Sequence, residues 1–115
     1  MTEGAHLAII NSEVEAQKLA KLFEAVTEHI NGSENSGLAW LGFHDHFQTR
    51  DFVTVHGDAL VATGYSDWNV GDPSGGGERC GTMNKQGRLN DYFCFKNIIV
   101  FCETPTNVLS VNCNS

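Results

Sequence analysis

The segment Arg88-Leu89-Asn90-Asp91-Tyr92-Phe93-Cys94 follows two related stretches, Gly71-Asp72-Pro73-Ser74 and Glu78-Arg79-Cys80. Together they place acidic and amide side chains around one proline, in a loop that two cysteines could close. Calcium takes about six to eight oxygen ligands in flexible geometry, and carboxylate and amide oxygens are among those it prefers. A proline that fixes the chain helps to aim such ligands. These stretches therefore predict a calcium site.

Length and composition restrict the class of protein. The chain has 115 residues, of which 41% are hydrophobic and 18% charged, so we expect one globular domain. Its net charge is −7, which argues against a nucleic-acid partner and against electrostatic attraction to anionic membranes. The apolar runs are all shorter than the roughly 18 residues of a membrane span.

One long helix is predicted near the start of the chain. Ser12 is a typical N-cap, and Glu15 three positions later completes a capping box. Apolar residues then recur at helical spacing and predict a helix from about 13 to 30. They are Val14, Leu19, Leu22, Phe23, Val26 and Ile30.

Beyond residue 38 the pattern changes to short strands and turns. Strands are predicted at 38–43, 52–55 and 97–103, and the glycine-rich segment 69–79 is predicted to be a loop. A single helix followed by many short strands indicates the α+β class.

Several of these segments resemble the C-type lectin domain family. Besides the loop stretches, the similarity lies in Gly4–Ala8, Ala39–Phe43 and Phe101–Glu103. It covers roughly residues 4 to 103. Within the family, the sequences of Gly42–Asp45 and Val53–Asp58 are most similar to those of insect haemolymph lectins described as lipopolysaccharide-binding proteins. The resemblance implies a C-type lectin-like fold, with one main helix packed on short antiparallel strands and a long irregular ligand loop.

The resemblance also implies a ligand set for both metal and sugar. The family's principal Ca²⁺ site falls here on Asp72, Ser74, Glu78, Asn90 and Asp91. In that family vicinal sugar hydroxyls complete the calcium shell and hydrogen-bond to the same side chains. Metal and carbohydrate ligands are therefore the same residues.

This chain departs from the family pattern at several positions. Ser74 replaces an asparagine or aspartate, Leu89 replaces a tryptophan, and Gly75–Gly77 makes the loop short and flexible. Arg79 stands where auxiliary calcium sites have an acidic residue, so we expect at most one ion. The acidic Asp72 resembles the family's motif for mannose-like sugars more than its motif for galactose, whereas Ser74 matches neither motif.

Four cysteines in a small domain indicate an oxidising compartment. Cys80 and Cys94 match the family's inner disulfide. The usual partner of Cys102 lies in an upstream segment that this chain does not contain. Cys113 is a substitute partner; a free thiol and an intermolecular bond are the alternatives.

The chain resembles a family domain that lacks its first strand and helix. Met1-Thr2-Glu3 leads directly into the domain without a signal peptide, although the resemblance implies a secreted protein. We predict an N-terminally shortened domain over 1–104 and a polar tail over 105–115.

Other functional hypotheses for single residues have less support in the sequence than the calcium site. Trp40 and Trp68 are predicted to be structural anchors. His44 and His46 lie on one face of a strand, but two ligands do not make a zinc site. A glycosidase pair formed by Asp72 and Glu78 conflicts with calcium ligation, which requires both to be ionised. We therefore expect no enzymatic activity.

The function predicted from the sequence is calcium-dependent binding of carbohydrate on microbial surfaces, lipopolysaccharide included, in innate immunity. Weak single-site affinity would be compensated by a homo-oligomer or by linked domains. The alternative is a calcium-independent lectin-like domain that binds protein and not sugar.

Overall fold

The computed structural model describes residues 6–26, 37–46, 51–104 and 109–111. Its regular elements follow one another along the chain. They are β1 (His6–Leu7), α1 (Glu13–Val26), β2 (Ala39–His44), β3 (Val53–Thr54), a 3₁₀ turn (Leu60–Ala62), β4 (Cys80–Met83), β5 (Leu89–Tyr92), β6 (Ile99–Glu103) and β7 (Leu109–Val111). The predicted α+β class is confirmed.

The described strands form one seven-stranded sheet with β2 near its middle. The order is β1-β6-β2-β4-β5, while β3 adds to β2 and β7 adds to β6. Strands β2 and β6 run parallel, and the other paired strands run antiparallel. The β4–β5 hairpin and the loop before it therefore lie on one side of the sheet, away from the β1 edge.

Helix α1 begins at its predicted cap. The Ser12 hydroxyl accepts a hydrogen bond from the Glu15 N–H at 3.1 Å, and the Glu15 carboxylate accepts one from the Asn11 N–H at 3.3 Å. The first bond satisfies a backbone donor that the first helical turn leaves free, and the second ties the residue before the cap to the helix. The helix is observed to Val26; the rest of its predicted length, residues 27–30, lies outside the described residues.

One apolar face of α1 packs on the sheet. Leu19 and Phe23 are fully buried, and the Phe23 ring meets the Phe101 ring of β6 edge-on with centroids 5.5 Å apart. Val14 is different, since its side chain is 66% exposed although its spacing placed it on the same stripe. From Ala16 onward, the helix buries the face that the helical spacing predicted.

Close packing at Gly81 fixes the β4–β5 hairpin against the core. A Cβ atom at Gly81 would lie 2.3 Å from the Phe43 ring, so only glycine fits. Gly81 pairs directly with Asp91 on β5. Directly paired residues of an antiparallel ladder face the same side of the sheet, so the Phe43 ring lies on the face that carries the Asp91 side chain.

The predicted strands are present with shifted ends, and the segment after residue 104 differs from expectation. Leu109–Val111 form β7 and pair with β6, so these residues extend the sheet, whereas the sequence pattern indicated a separate polar tail. The domain boundary after residue 104 stays a prediction. Within the residues described, no helix has the length and apolar character needed to cross a membrane.

Candidate metal and ligand site

The loop before β4 is attached at its start to strand β5. Trp68 and Leu89 form a parallel β-bridge. The Leu89 N–H donates to the Asp67 carbonyl and its carbonyl accepts from the Asn69 N–H, both at 2.8 Å. Leu89 is only 1% exposed, so its side chain belongs to the core beneath the loop. The bridge brings the loop alongside Asn90 and Asp91.

The Asp91 carboxylate holds the turn of the loop. One oxygen accepts the Ser74 N–H at 2.8 Å and lies 3.1 Å from the Ser74 hydroxyl oxygen, and the other accepts the Gly75 N–H at 2.8 Å. Gly75 has a φ of 72°, a left-handed conformation that favours glycine. This contact of Gly75 was not predicted from the sequence, because backbone donors carry no residue-type signal.

Asn90 contacts Asp72, which precedes Pro73, whereas Asp91 contacts Ser74, which follows it. The Asn90 Nδ2 donates to Asp72 Oδ2 at 2.8 Å. Its Oδ1 is buried and accepts no hydrogen bond from any described residue. A buried acceptor without a partner costs about 1–3 kcal/mol, so an electropositive group at this oxygen would relieve a real penalty.

Ser74 connects the remaining predicted ligand. Its hydroxyl donates to Glu78 Oε1 as well as approaching Asp91. The structure therefore brings all the predicted site residues together in two groups of contacting side chains. In one group Asn90 bonds to Asp72, and in the other Ser74 lies between Asp91 and Glu78.

The two aspartates perturb each other. Burial raises the pKa of Asp72, and hydrogen bonding and charge repulsion from Asp91 raise it further. Burial also acts to raise the pKa of Asp91, but the N–H groups of Ser74 and Gly75 outweigh it, so that pKa lies below its ordinary value. Asp91 is thus held ionised next to Asp72, an arrangement that a cation would stabilise.

The neighbouring arginines neutralise carboxylates elsewhere. Arg79 pairs with the buried Asp45 at 3.1 Å and also donates to the Asp45 carbonyl at 2.7 Å. Arg88 pairs with Asp67 at 2.7 Å. With these cations engaged, the clustered carboxylates and the unpartnered Asn90 oxygen fit the requirements of a hard divalent cation such as calcium.

Sequence and structure comparisons identify the family of the chain. The profile of the lectin C-type domain matches residues 1–104. This chain belongs to the C-type lectin domain family. The resemblance noted in the sequence is confirmed, and the family is one of binding proteins.

This lectin domain is 40% identical to the hemolymph lipopolysaccharide-binding protein of Periplaneta americana over 104 residues. The alignment covers 88% of the chain and 40% of that protein, so the chain spans about two fifths of its relative. It is 38% identical over 69 residues to the low affinity immunoglobulin epsilon Fc receptor of Mus musculus, covering 58% of this chain and 19% of the receptor.

A solved structure shares the fold. The carbohydrate-recognition domain of the mouse scavenger receptor C-type lectin superposes with a TM-score of 0.62 at 28% identity. The match covers 85% of the lectin domain described here and 69% of that domain. The predicted C-type lectin-like fold is confirmed.

The disulfide beside the loop is present as predicted. Cys80 at the start of β4 is bonded to Cys94, with 5.3 Å between their Cα atoms. It ties the chain just after Glu78 to the segment that follows Asp91. Cys102 is buried and disulfide-bonded. Its suggested partner, Cys113, lies outside the described residues.

The geometry around His44 and His46 argues against a zinc site there. His44 and His46 stack with ring centroids 4.5 Å apart, and the His46 N–H donates to the His44 ring at 3.3 Å. His46 also approaches Cys80 and Cys94, but disulfide sulfurs are not thiolate ligands. This lectin domain therefore offers no zinc-ligand set at these residues.

Trp68 serves the core, as predicted. Its ring packs against Phe52 at 4.9 Å and Phe43 at 5.7 Å between centroids. Trp40 is half-buried and lies 6.0 Å from the Tyr92 ring. The aromatic pair that sequence reasoning missed is Phe93 and Phe95, which flank Cys94 next to the site.

Proposed function

We propose that this lectin domain binds carbohydrate through one calcium ion held by a single set of side chains. The set is Asp72, Ser74, Glu78, Asn90 and Asp91. We further propose that the ligands are glycans of microbial surfaces, of the lipopolysaccharide type, and that binding serves innate immunity.

The observation that carries the proposal is the buried Asn90 oxygen beside unneutralised carboxylates. Asn90 Oδ1 has no partner among the described residues, while its amide nitrogen fixes Asp72. Burial raises the pKa of Asp72, and hydrogen bonding and charge repulsion from Asp91 add to that rise. A cation would satisfy the oxygen and remove the repulsion in one step.

The site residues have different tasks in this mechanism. Bound calcium would supply coordination positions for two vicinal sugar hydroxyls. Asp91 positions the loop, because its oxygens already accept the Ser74 and Gly75 N–H groups. Asp72, Glu78 and the Asn90 oxygen are the remaining strong ligands, and the carboxylates can also accept hydrogen bonds from sugar hydroxyls. Ser74 is the weakest of the set, since its hydroxyl is bonded to its neighbours.

We infer secretion from the disulfide and the ligand class from a relative. The Cys80–Cys94 disulfide is typical of an oxidising compartment, so we propose that the protein is secreted. The cockroach relative is named for haemolymph and for lipopolysaccharide, which supports that ligand class here. A single shallow sugar site binds weakly, so we propose that a homo-oligomer raises the avidity.

Thermal unfolding with and without millimolar Ca²⁺ tests the metal site. A ligand that binds only the folded state stabilises it, by about 2.7 kcal/mol at a hundredfold excess over Kd. We expect calcium to raise the midpoint and a chelator to reverse the rise. Asn90→Ala should abolish the rise, whereas Asp58→Ala, which removes an exposed carboxylate remote in sequence from the loop, should keep it.

A midpoint that ignores calcium in the parent protein would refute the metal site. If the calcium response is present, methyl mannoside and methyl galactoside are titrated next. Binding of either that disappears with chelator supports the full proposal; calcium binding without any glycan binding would limit the function to the metal.

The alternative is a calcium-independent protein-interaction domain. It is favoured by Ser74, whose hydroxyl is committed to hydrogen bonds with Glu78 and Asp91. One relative at 38% identity is named as a receptor for an immunoglobulin Fc region, a protein. A partner protein whose binding survives both chelator and Asp91→Ala would establish this alternative.

A further inference from the structure

Two phenylalanines lie next to the proposed sugar site; Phe93 is half-buried, whereas Phe95 is open to solvent. Phe95 is 79% exposed, and its ring lies 5.6 Å from the Phe93 ring, with the two planes 33° apart. An exposed aromatic side chain offers a large apolar surface that a ligand can cover. The pair forms one bent apolar surface, here called the Phe93–Phe95 patch.

The Phe93–Phe95 patch adjoins the ligand loop directly. A Cβ atom at Gly77 would lie 3.6 Å from Phe93 Cε1, so the Phe93 ring rests against the loop residue that precedes Glu78. Cys94 stands between the two phenylalanines and is bonded to Cys80. The Lys96 N–H also donates to the Phe93 carbonyl at 3.1 Å and closes the turn. The patch is therefore fixed in place, and not carried on a loose chain.

We propose that the Phe93–Phe95 patch binds the apolar aglycone of a glycolipid whose sugar occupies the candidate calcium site. This inference rests on the proposed function and narrows its ligand class. Continuity supports it: Asp91 and Phe93 are two residues apart on the chain, and Phe93 touches the loop that carries Glu78. An alkyl or acyl chain leaving the sugar on this side would meet the exposed ring of Phe95.

Ring geometry favours an apolar chain over a second stacked sugar. The Lys96 ammonium lies over the Phe95 ring, 5.4 Å from its centroid, so one ring face is already occupied. A pyranose that stacks requires a flat open face, whereas a hydrocarbon chain packs equally well against ring edges and faces. The net charge of −7 also makes apolar contact a more suitable source of affinity for this part of the ligand than attraction to phosphate.

The test compares methyl and octyl glycosides of the same sugar, with octyl kept below its micelle concentration and calcium constant. Each methylene group that becomes fully buried strengthens binding roughly fourfold. We expect octyl glycoside to bind at least about tenfold more tightly than methyl glycoside. Phe95→Ala should reduce that ratio to nearly one while leaving methyl glycoside affinity unchanged.

Two further variants define the contact. Phe95→Leu keeps an apolar side chain without a ring and should keep most of the octyl preference, whereas sugar stacking would be lost. Val61→Ala is the matched control, because Val61 is also 79% exposed but lies on the 3₁₀ turn. It should change neither affinity.

The outcomes separate this inference from the proposed function. If neither mannose nor galactose methyl glycoside binds with calcium, the proposed function fails and the inference fails with it. If a methyl glycoside binds but octyl gives no gain, or the gain survives Phe95→Ala, only the inference is overturned. A gain seen with a methyl disaccharide but not with octyl glycoside would assign the patch to a second sugar and also overturn it.

Discussion

At the scale of single residues, replacing Asp72 should affect calcium-free stability and calcium binding in opposite directions. Its carboxylate lies near Asp91 and pairs with no cation among the described residues, and its pKa is raised by burial and by that neighbour. An acid whose folded-state pKa is raised destabilises the fold at pH values where it is ionised. The same charge is the one a calcium ion would use.

Asp72→Asn should therefore have opposite effects with and without calcium. The amide oxygen can still accept from Asn90 Nδ2, so the calcium-free protein should melt at or slightly above the parent midpoint. The midpoint rise in calcium should fall sharply, because one charged ligand is lost. Differential scanning calorimetry in chelator and in calcium measures both. A variant that loses stability in chelator but keeps the full calcium rise would show that Asp72 is purely structural.

At the scale of elements, the Cys80–Cys94 bond joins the start of β4 to the segment after β5. It closes a loop with a sequence separation of 14 residues. A loop of about 15 residues is expected to stabilise a fold by about 3 kcal/mol through the unfolded state. Residual structure in the unfolded chain reduces this gain, so we expect the measured value not to exceed that figure.

The double variant Cys80→Ser/Cys94→Ser should lower the free energy of unfolding by about 2–3 kcal/mol. Urea denaturation without reductant measures this change and leaves the disulfide at Cys102 intact. Ser66→Ala, at an exposed loop position, is the control and should change stability little. A loss below about 0.5 kcal/mol would mean that hairpin pairing alone holds the site loop closed.

Element positions were partly predictable because local signals are strong where capping and periodicity agree. Ser12 and Glu15 marked the start of α1 correctly, and the apolar runs marked β2 and β6. The exposed side chain of Val14 and the pairing of Leu109–Val111 with β6 were missed. Both depend on what lies opposite in the folded sheet, and no local pattern contains that information.

At the scale of the whole molecule, net negative charge constrains how lipopolysaccharide could be recognised. A charge of −7 repels the phosphates of such a ligand, and salt screens this repulsion. If binding is through sugar and calcium, affinity for immobilised lipopolysaccharide at fixed calcium should change less than about twofold between 50 and 300 mM NaCl. Surface plasmon resonance provides the measurement.

A protein attracted by phosphate would respond differently to salt. A tenfold loss of affinity over the same range would point to a local basic contact, with Lys96 beside the proposed site as the first residue to replace. Binding in the presence of chelator is the matching control and should be absent.

The sequence by itself determined the α+β class through local patterns and the family through its motifs, and the family resemblance implied the Cys80–Cys94 bond and the residues of the candidate site. Only the tertiary structure decided how those residues meet. The Trp68–Leu89 bridge lays the loop along β5, the packing of Gly81 under Phe43 sets the hairpin, and Asp91 captures the loop backbone. The unpartnered Asn90 oxygen and the exposed Phe95 ring arise from contacts made or left unmade between distant segments, and such contacts exist only once the chain has folded.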